Sequence, residues 1–201
     1  MKKLIALTTA LLLSVSSMFA SEKAFHIGGA VPAGSLSDED DSSSLSGFDF
    51  YADFTRIANG GFTFNLTLAA GTSTLSYNDA DLDLTNCFLG GGFGYSFIHD
   101  EKKTLSLTGD LGFLIMSGDK NLYPIKIDYS AVMFYIGPRI SFTYKFLKHL
   151  GIFANAGLYY ASGSWSATIE STVLGSSYSR SDDGSISGVI FRPDFGIAIP
   201  F

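Results

Sequence analysis

"FRPDFGIAIPF" (Phe191–Phe201) puts Phe191, Phe195, Ile197, Ile199 and Phe201 on one parity and Arg192 and Asp194 on the other. In an extended strand alternate residues point to opposite faces, so this segment has one apolar face and one that carries opposite charges. Facing water, the apolar side would be an adhesive edge. The rest of the chain must therefore show which solvent touches which face.

The same period of two runs through seven further segments. Phe25, Ile27, Gly29 and Val31 alternate with His26, Gly28 and Ala30, and Phe48, Phe50, Ala52 and Phe54 alternate with Asp49, Tyr51 and Asp53. "FTFNLTLA" (Phe62–Ala69) is the cleanest case. Leu89–Phe97, Leu105–Ile115, Tyr129–Phe146 and Ile152–Tyr160 follow the rule. Apart from the longer Tyr129–Phe146, each segment is near the roughly 9–11 residues with which a tilted strand crosses a bilayer.

The connections alternate in length. "IANGG", "HDEKK" and "LKHL" are tight turns, whereas residues 32–46, 71–84, 117–128 and 162–187 read as long polar loops. The long loops concentrate Asp and Glu, and the short-turn end carries Arg56, Lys102, Lys103, Lys145 and Lys148. Short turns at one end and long loops at the other form the layout of an outer-membrane barrel.

Composition removes several other classes. The 201 residues carry 13 Lys+Arg against 19 Asp+Glu, a net charge of −6 that argues against nucleic acid as a partner. One cysteine, Cys87, cannot make an internal disulfide, and three histidines give no Cys/His metal cluster. "MKKLIALTTALLLSVSSMFA" has a basic start, a short apolar core and a small-residue end, so residues 1–20 are expected to be a cleaved signal peptide, leaving 21–201 as one barrel domain. Beyond it no run approaches about 18 apolar residues, which excludes a helical membrane protein.

A soluble barrel would also alternate, with its apolar face inside. Here the face opposite the apolar one is small and weakly charged, with Gly90, Gly92, Gly94, Gly112, Gly137, Gly157, Ser106, Thr108 and Thr143. Such residues suit a narrow interior. Aromatics (Phe48, Phe97, Phe142, Tyr144, Phe146, Tyr160, Phe201) gather toward segment ends, as interfacial girdles do. The expected fold is all-β, an eight-stranded antiparallel up-and-down transmembrane β-barrel with lipid outside.

The leader, the eight alternating segments and the terminal "FGIAIPF" resemble the small eight-stranded outer-membrane barrels of the OmpA/OmpX/OmpW type. That resemblance implies a bacterial outer-membrane location. It also implies that Phe195, Ile197, Ile199 and Phe201 form a signal read by the barrel-assembly machinery. Pro193 and Pro200 depart from the usual pattern, since proline removes a ladder donor. The family has no shared catalytic motif.

Within such a barrel Asp49, Asp53, Asp110, Arg139, Arg192 and Asp194 face the lumen, where buried charges must pair. Asp110 and Arg139 stand at equal heights on neighbouring strands and are expected to pair at mid-depth. Arg192 is expected to meet Asp53, Asp49 or Asp194. "DADLD" (Asp79–Asp83) mimics the start of a calcium loop but has Leu84 and Gly90 where Gly and Glu are required, so no metal site is expected. His26, His99 and His149 all fall at the periplasmic end, away from the serines of the last long loop, which leaves no base for surface catalysis. Cys87 has the lipid-facing parity. The sequence thus points to a non-enzymatic barrel without cofactor, anchored in outer-membrane lipid, whose long loops reach a surface ligand. The second reading is a narrow OmpW-like channel for small solutes.

Overall fold

The computed structural model describes residues 20–38, 41–77, 80–173 and 176–201, all as strand, turn or bend apart from a few irregular positions. The expected leader lies outside the described residues, apart from Ala20 where the first strand opens. Nine strands follow in order: β1 (Ala20–Ala30), β2 (Ala33–Asp38), β3 (Asp41–Ala58), β4 (Phe62–Tyr77), β5 (Ala80–His99), β6 (Lys103–Leu122), β7 (Ile125–Leu147), β8 (Leu150–Val173) and β9 (Ser176–Pro200).

Both β1 and β2 pair with β3 on one side and with β9 on the other, so they are successive parts of one barrel stave. The break falls at Val31–Pro32. Pro32 has no N–H to give to the ladder. The surrounding pairing continues: Val31 N–H donates to Pro193 O (2.9 Å) and Gly47 N–H to Pro32 O (3.0 Å). Counted as staves, the barrel is eight-stranded, antiparallel and closed by β9 against β1 and β2. Closure leaves no open sheet edge, the condition for a sheet to cross hydrocarbon.

The outer wall is apolar over a continuous belt. Ile27, Phe50, Leu66, Phe93, Leu111, Ile136, Leu158 and Phe195 are all about half exposed or more. Their neighbours in sequence point inward and are buried, among them Asp49, Tyr51, Asn65, Asp110, Tyr135 and Asp194. A molecule that exposes its large apolar side chains and buries its charges is matched to lipid.

The four segments expected as long loops are extended hairpins instead. Of their described residues only Pro32 and the Tyr123–Pro124 tip leave the strands, and cross-strand register continues to Ser37↔Ser42, Tyr77↔Ala80, Leu122↔Ile125 and Val173↔Ser176. The physical reason lies in a change of solvent along each stave. Within the belt apolar residues face out. Beyond it the parity is kept but its character reverses. Ser35, Ser37, Ser44, Ser46 and Ser185 face out, and Leu36, Leu45 and Ile186 between them are buried. Leu75 and Leu84 are buried in the same way. Water hydrates the hydroxyl face while the leucines fill the interior, as in a soluble barrel. Cross-strand bonds from Thr74 to Asp83 (3.0 Å) and from Ser76 to Asp81 (2.6 Å) tie the wet face together.

The opposite end closes with the expected tight turns. Gly61 takes a positive φ of 83°, which glycine adopts without strain. Asp100 accepts the backbone N–H groups of Lys102 (2.8 Å) and Lys103 (2.6 Å), which hold its carboxyl below the ordinary carboxylate range.

If the outer segments are ladder-bonded, the amides of residues 44–46 and 74–76 will exchange with deuterium slowly, at rates comparable to those of the belt strands. Exchange within seconds at neutral pH would match free loops and contradict the hairpins.

Candidate functional site

The lumen is the one place where the described residues concentrate buried charge. Arg139, on β7, is 2% exposed. Its Nε lies 3.0 Å from Asp110 Oδ2 on β6, and its Nη2 lies 3.3 Å from Asp53 Oδ2 across the barrel on β3. Nη1 donates to Tyr51 Oη (2.8 Å) and Thr67 Oγ1 (3.3 Å). One guanidinium thus ties β3, β4, β6 and β7 together.

Both carboxylates have further partners. Asp53 accepts from Thr55 (2.6 Å) and Thr67 (2.9 Å) and lies 3.1 Å from His26 Nδ1. Asp110 accepts from Thr108 (2.7 Å) and Asn65 (3.2 Å). Gly92 belongs to this arrangement, because a Cβ there would overlap Asp110 Oδ1. The glycine-rich parity of β5 therefore clears space for a carboxylate in a barrel too narrow for both.

A second charged layer lies on the exterior side. Arg192 Nε is 3.2 Å from Asp194 Oδ1 and 4.0 Å from Asp49 Oδ2. Its guanidinium sits 4.5 Å from the centre of the Phe88 ring and 5.4 Å from that of Tyr51. These are cation–π distances. Tyr51 also accepts from Asn155 (3.0 Å), so its hydroxyl joins the two layers. All six lumen residues expected from the sequence lie in these layers. Asp53 meets Arg139 and His26, and Arg192 meets Asp194 and Asp49. On the periplasmic side Lys145 Nζ holds Glu22 (2.9 Å), so this lysine, counted from the sequence as turn charge, belongs to the interior.

Sequence reasoning missed two parts. His26 bridges Asp53 and Thr143, whose Oγ1 is 3.3 Å from Nε2. Its parity, shared with Gly28 and Ala30, was the available signal. The second is the apolar cap above Arg192, where Phe88, Leu114, Met116, Met133 and Ile190 are fully buried. An interior of small and hydroxyl-bearing groups describes only the lower half of the lumen. The cap residues alternate with exposed Leu89, Phe113, Val132, Phe134, Val189 and Phe191, so at this height both faces of the wall are apolar and parity alone does not tell inside from outside.

No family model matches the chain, and no curated protein matches it by sequence. Solved structures do resemble it. The fold is similar to that of the outer membrane protein OprG from Pseudomonas aeruginosa, with a TM-score of 0.55 and 13% identity over 91% of this chain and 97% of that one. It is similar also to a major outer membrane protein from Thermus thermophilus, with a TM-score of 0.53 and 13% identity over 89% of this chain and 99% of that one. The fold is that of a small outer-membrane β-barrel.

In this outer-membrane barrel the C-terminal residues Phe195, Ile197, Ile199 and Phe201 line the lipid-facing wall. Phe201 stacks on Phe25 of β1 with ring centres 5.4 Å apart, and its N–H donates to Lys23 O (2.9 Å). Pro200 pairs opposite Ala24, and its carbonyl lies 3.2 Å from His149 Nδ1. His149 and His99 both border a cavity of about 770 Å³ at the periplasmic mouth. Glu39, Asp40 and Asp79, expected as surface carboxylates, lie outside the described residues.

Replacing Arg139 with Leu leaves Asp53 and Asp110 buried without their cation. The variant is expected to lose about 3–5 kcal/mol of stability, measured by urea unfolding in lipid vesicles. Adding Asp53→Asn and Asp110→Asn to Arg139→Leu should recover part of that loss.

Proposed function

We propose that the protein is a non-enzymatic outer-membrane anchor whose barrel is sealed and whose extended hairpins display an acidic, serine-rich surface outside the cell for contact with envelope or host molecules. The observation that carries this reading is the stacking of two charged layers and an apolar cap across one narrow lumen. Arg139 spans the barrel to Asp53, and Phe88, Met116, Met133 and Leu114 fill the space above. An eight-stranded barrel has room for little more than its own side chains. The charges are read as a structural plug and not as an ion path, since Arg139 and Arg192 are each held by carboxylates on different strands. The last strand, ending in Phe195, Ile197, Ile199 and Phe201, is read as the segment engaged by the barrel-assembly machinery, supported by its unbroken lipid-facing aromatic and aliphatic row.

The purified barrel in a planar bilayer is expected to show no stable conductance steps. Ion-selective openings abolished by Arg139→Ala would favour the narrow channel for small solutes instead. The folded protein should migrate differently on a gel before and after boiling, and deleting Phe201 should lower the folded fraction recovered from cell envelopes.

A further inference from the structure

Above the apolar cap the lumen opens into a cup of about 340 Å³ at the exterior end. Leu36, Leu75 and Ile186 make its apolar lining. One wall is an aromatic pair, Tyr129 and Trp165, whose rings lie nearly parallel (17°) with centres 6.2 Å apart. Asp38 and Asp41 stand at the rim. Asp38 Oδ2 accepts the Trp165 indole N–H (2.8 Å), which fixes the ring against the carboxylate.

Among the described residues Asp38 has no ion-pair partner, and Trp165, its hydrogen-bond donor, is neutral. Cations of the outer end are committed elsewhere: Lys126 to Asp128 (2.8 Å), Arg180 to Asp182 (3.1 Å) and Lys120 to the Asp81 carbonyl. Burial, with Asp38 adding to it, pushes the pKa of the Tyr129 hydroxyl up to about 12, so it stays neutral at physiological pH. That hydroxyl oxygen is buried and has no hydrogen-bond partner among the described residues. The cup thus joins an apolar interior, aromatic faces and the unpaired negative charge of Asp38, the three elements that hold an organic cation.

We propose that the exterior cup is a binding site for a small organic cation, an ammonium group on a short aliphatic body, with the aliphatic part against Leu36, Leu75 and Ile186 and the ammonium between Asp38 and the Tyr129–Trp165 pair. The site goes beyond the anchor reading and does not depend on whether the lumen conducts. Its volume is at the low end for small-molecule pockets, roughly 300–1,000 Å³, so short-chain amines fit and long ones do not.

Trp165 is the sole tryptophan of the chain, so its fluorescence reports on this cup alone. The full barrel in detergent or lipid nanodiscs is titrated at constant ionic strength with n-butylammonium, n-butanol and butyrate. The expected result is a saturable change with n-butylammonium, roughly ten-fold weaker binding or less of n-butanol, and no saturation with butyrate. Asp38→Asn, which keeps an acceptor for the indole N–H, should weaken n-butylammonium by about five-fold or more while preserving heat-modifiable migration. Equal affinity for amine and alcohol would reduce the cup to an apolar hollow and overturn the proposal. So would the absence of saturation by the amine, or an unchanged affinity in a folded Asp38→Asn variant. Should Asp38→Asn not fold, the amine, alcohol and carboxylate series with the unaltered protein decides the matter.

Discussion

A backbone amide in hydrocarbon has no water to bond, and that constraint governs the whole molecule. It is met by joining the last strand to the first. Ala24 through Ala30 pair with Pro200 through Asp194, and Ala33 through Ser37 pair with Phe191 through Ser187. The prolines fall where the ring tolerates them. Pro32 interrupts a stave whose neighbours stay in register, and Pro193 still offers its carbonyl to Val31. Closure then forces half of every strand's side chains into a space barely wide enough for them. The content of that space follows from the constraint.

Through the lower part of the belt the interior is largely polar, because the outward parity is already taken by residues that suit lipid. The narrow lumen cannot hydrate charges freely, so Arg139 and Arg192 have carboxylates beside them, and Asp53 and Asp110 have further donors. Glycine supplies the clearance, as at Gly92 beside Asp110. Above the belt water touches the outer wall, and the favourable arrangement reverses. Hydroxyls turn outward and leucines turn inward, with no change of register. The barrel is therefore two barrels end to end, the lower matched to lipid and the upper to water. The acidic exterior cup belongs to the upper one, and the apolar cap lies within the top of the lipid-facing belt.

The lipid-facing rows and the pairing partners of neighbouring strands were legible because parity is a local property and strand order follows chain order. Asp110 and Arg139 could be set near one height by counting up each strand from its own short turn, and the ladder places Arg139 opposite Thr108, two residues from Asp110. The outer hairpins were not legible as strands. "SLS" at residues 35–37 and 44–46 and "SIS" at 185–187 hold one apolar residue each, too sparse beside Gly, Asp and Ser to separate a hydrated strand from a loop. His26 was read only as a terminal histidine, since its partners Asp53 and Thr143 lie 27 and 117 residues away.

By itself the sequence determined the period of two, the alternation of short and long connections, the apolar row that meets lipid and the inventory of charges that must be buried. These follow from each residue's own chemistry and from the fixed two-residue repeat of a strand. Only the tertiary structure decided that Arg139 reaches across to Asp53, that Arg192 rests on Phe88, and that Asp38 meets Trp165 above an apolar cap. Closing a sheet brings together strands distant in sequence, and the distances across the lumen depend on tilt and stagger, which no local pattern encodes.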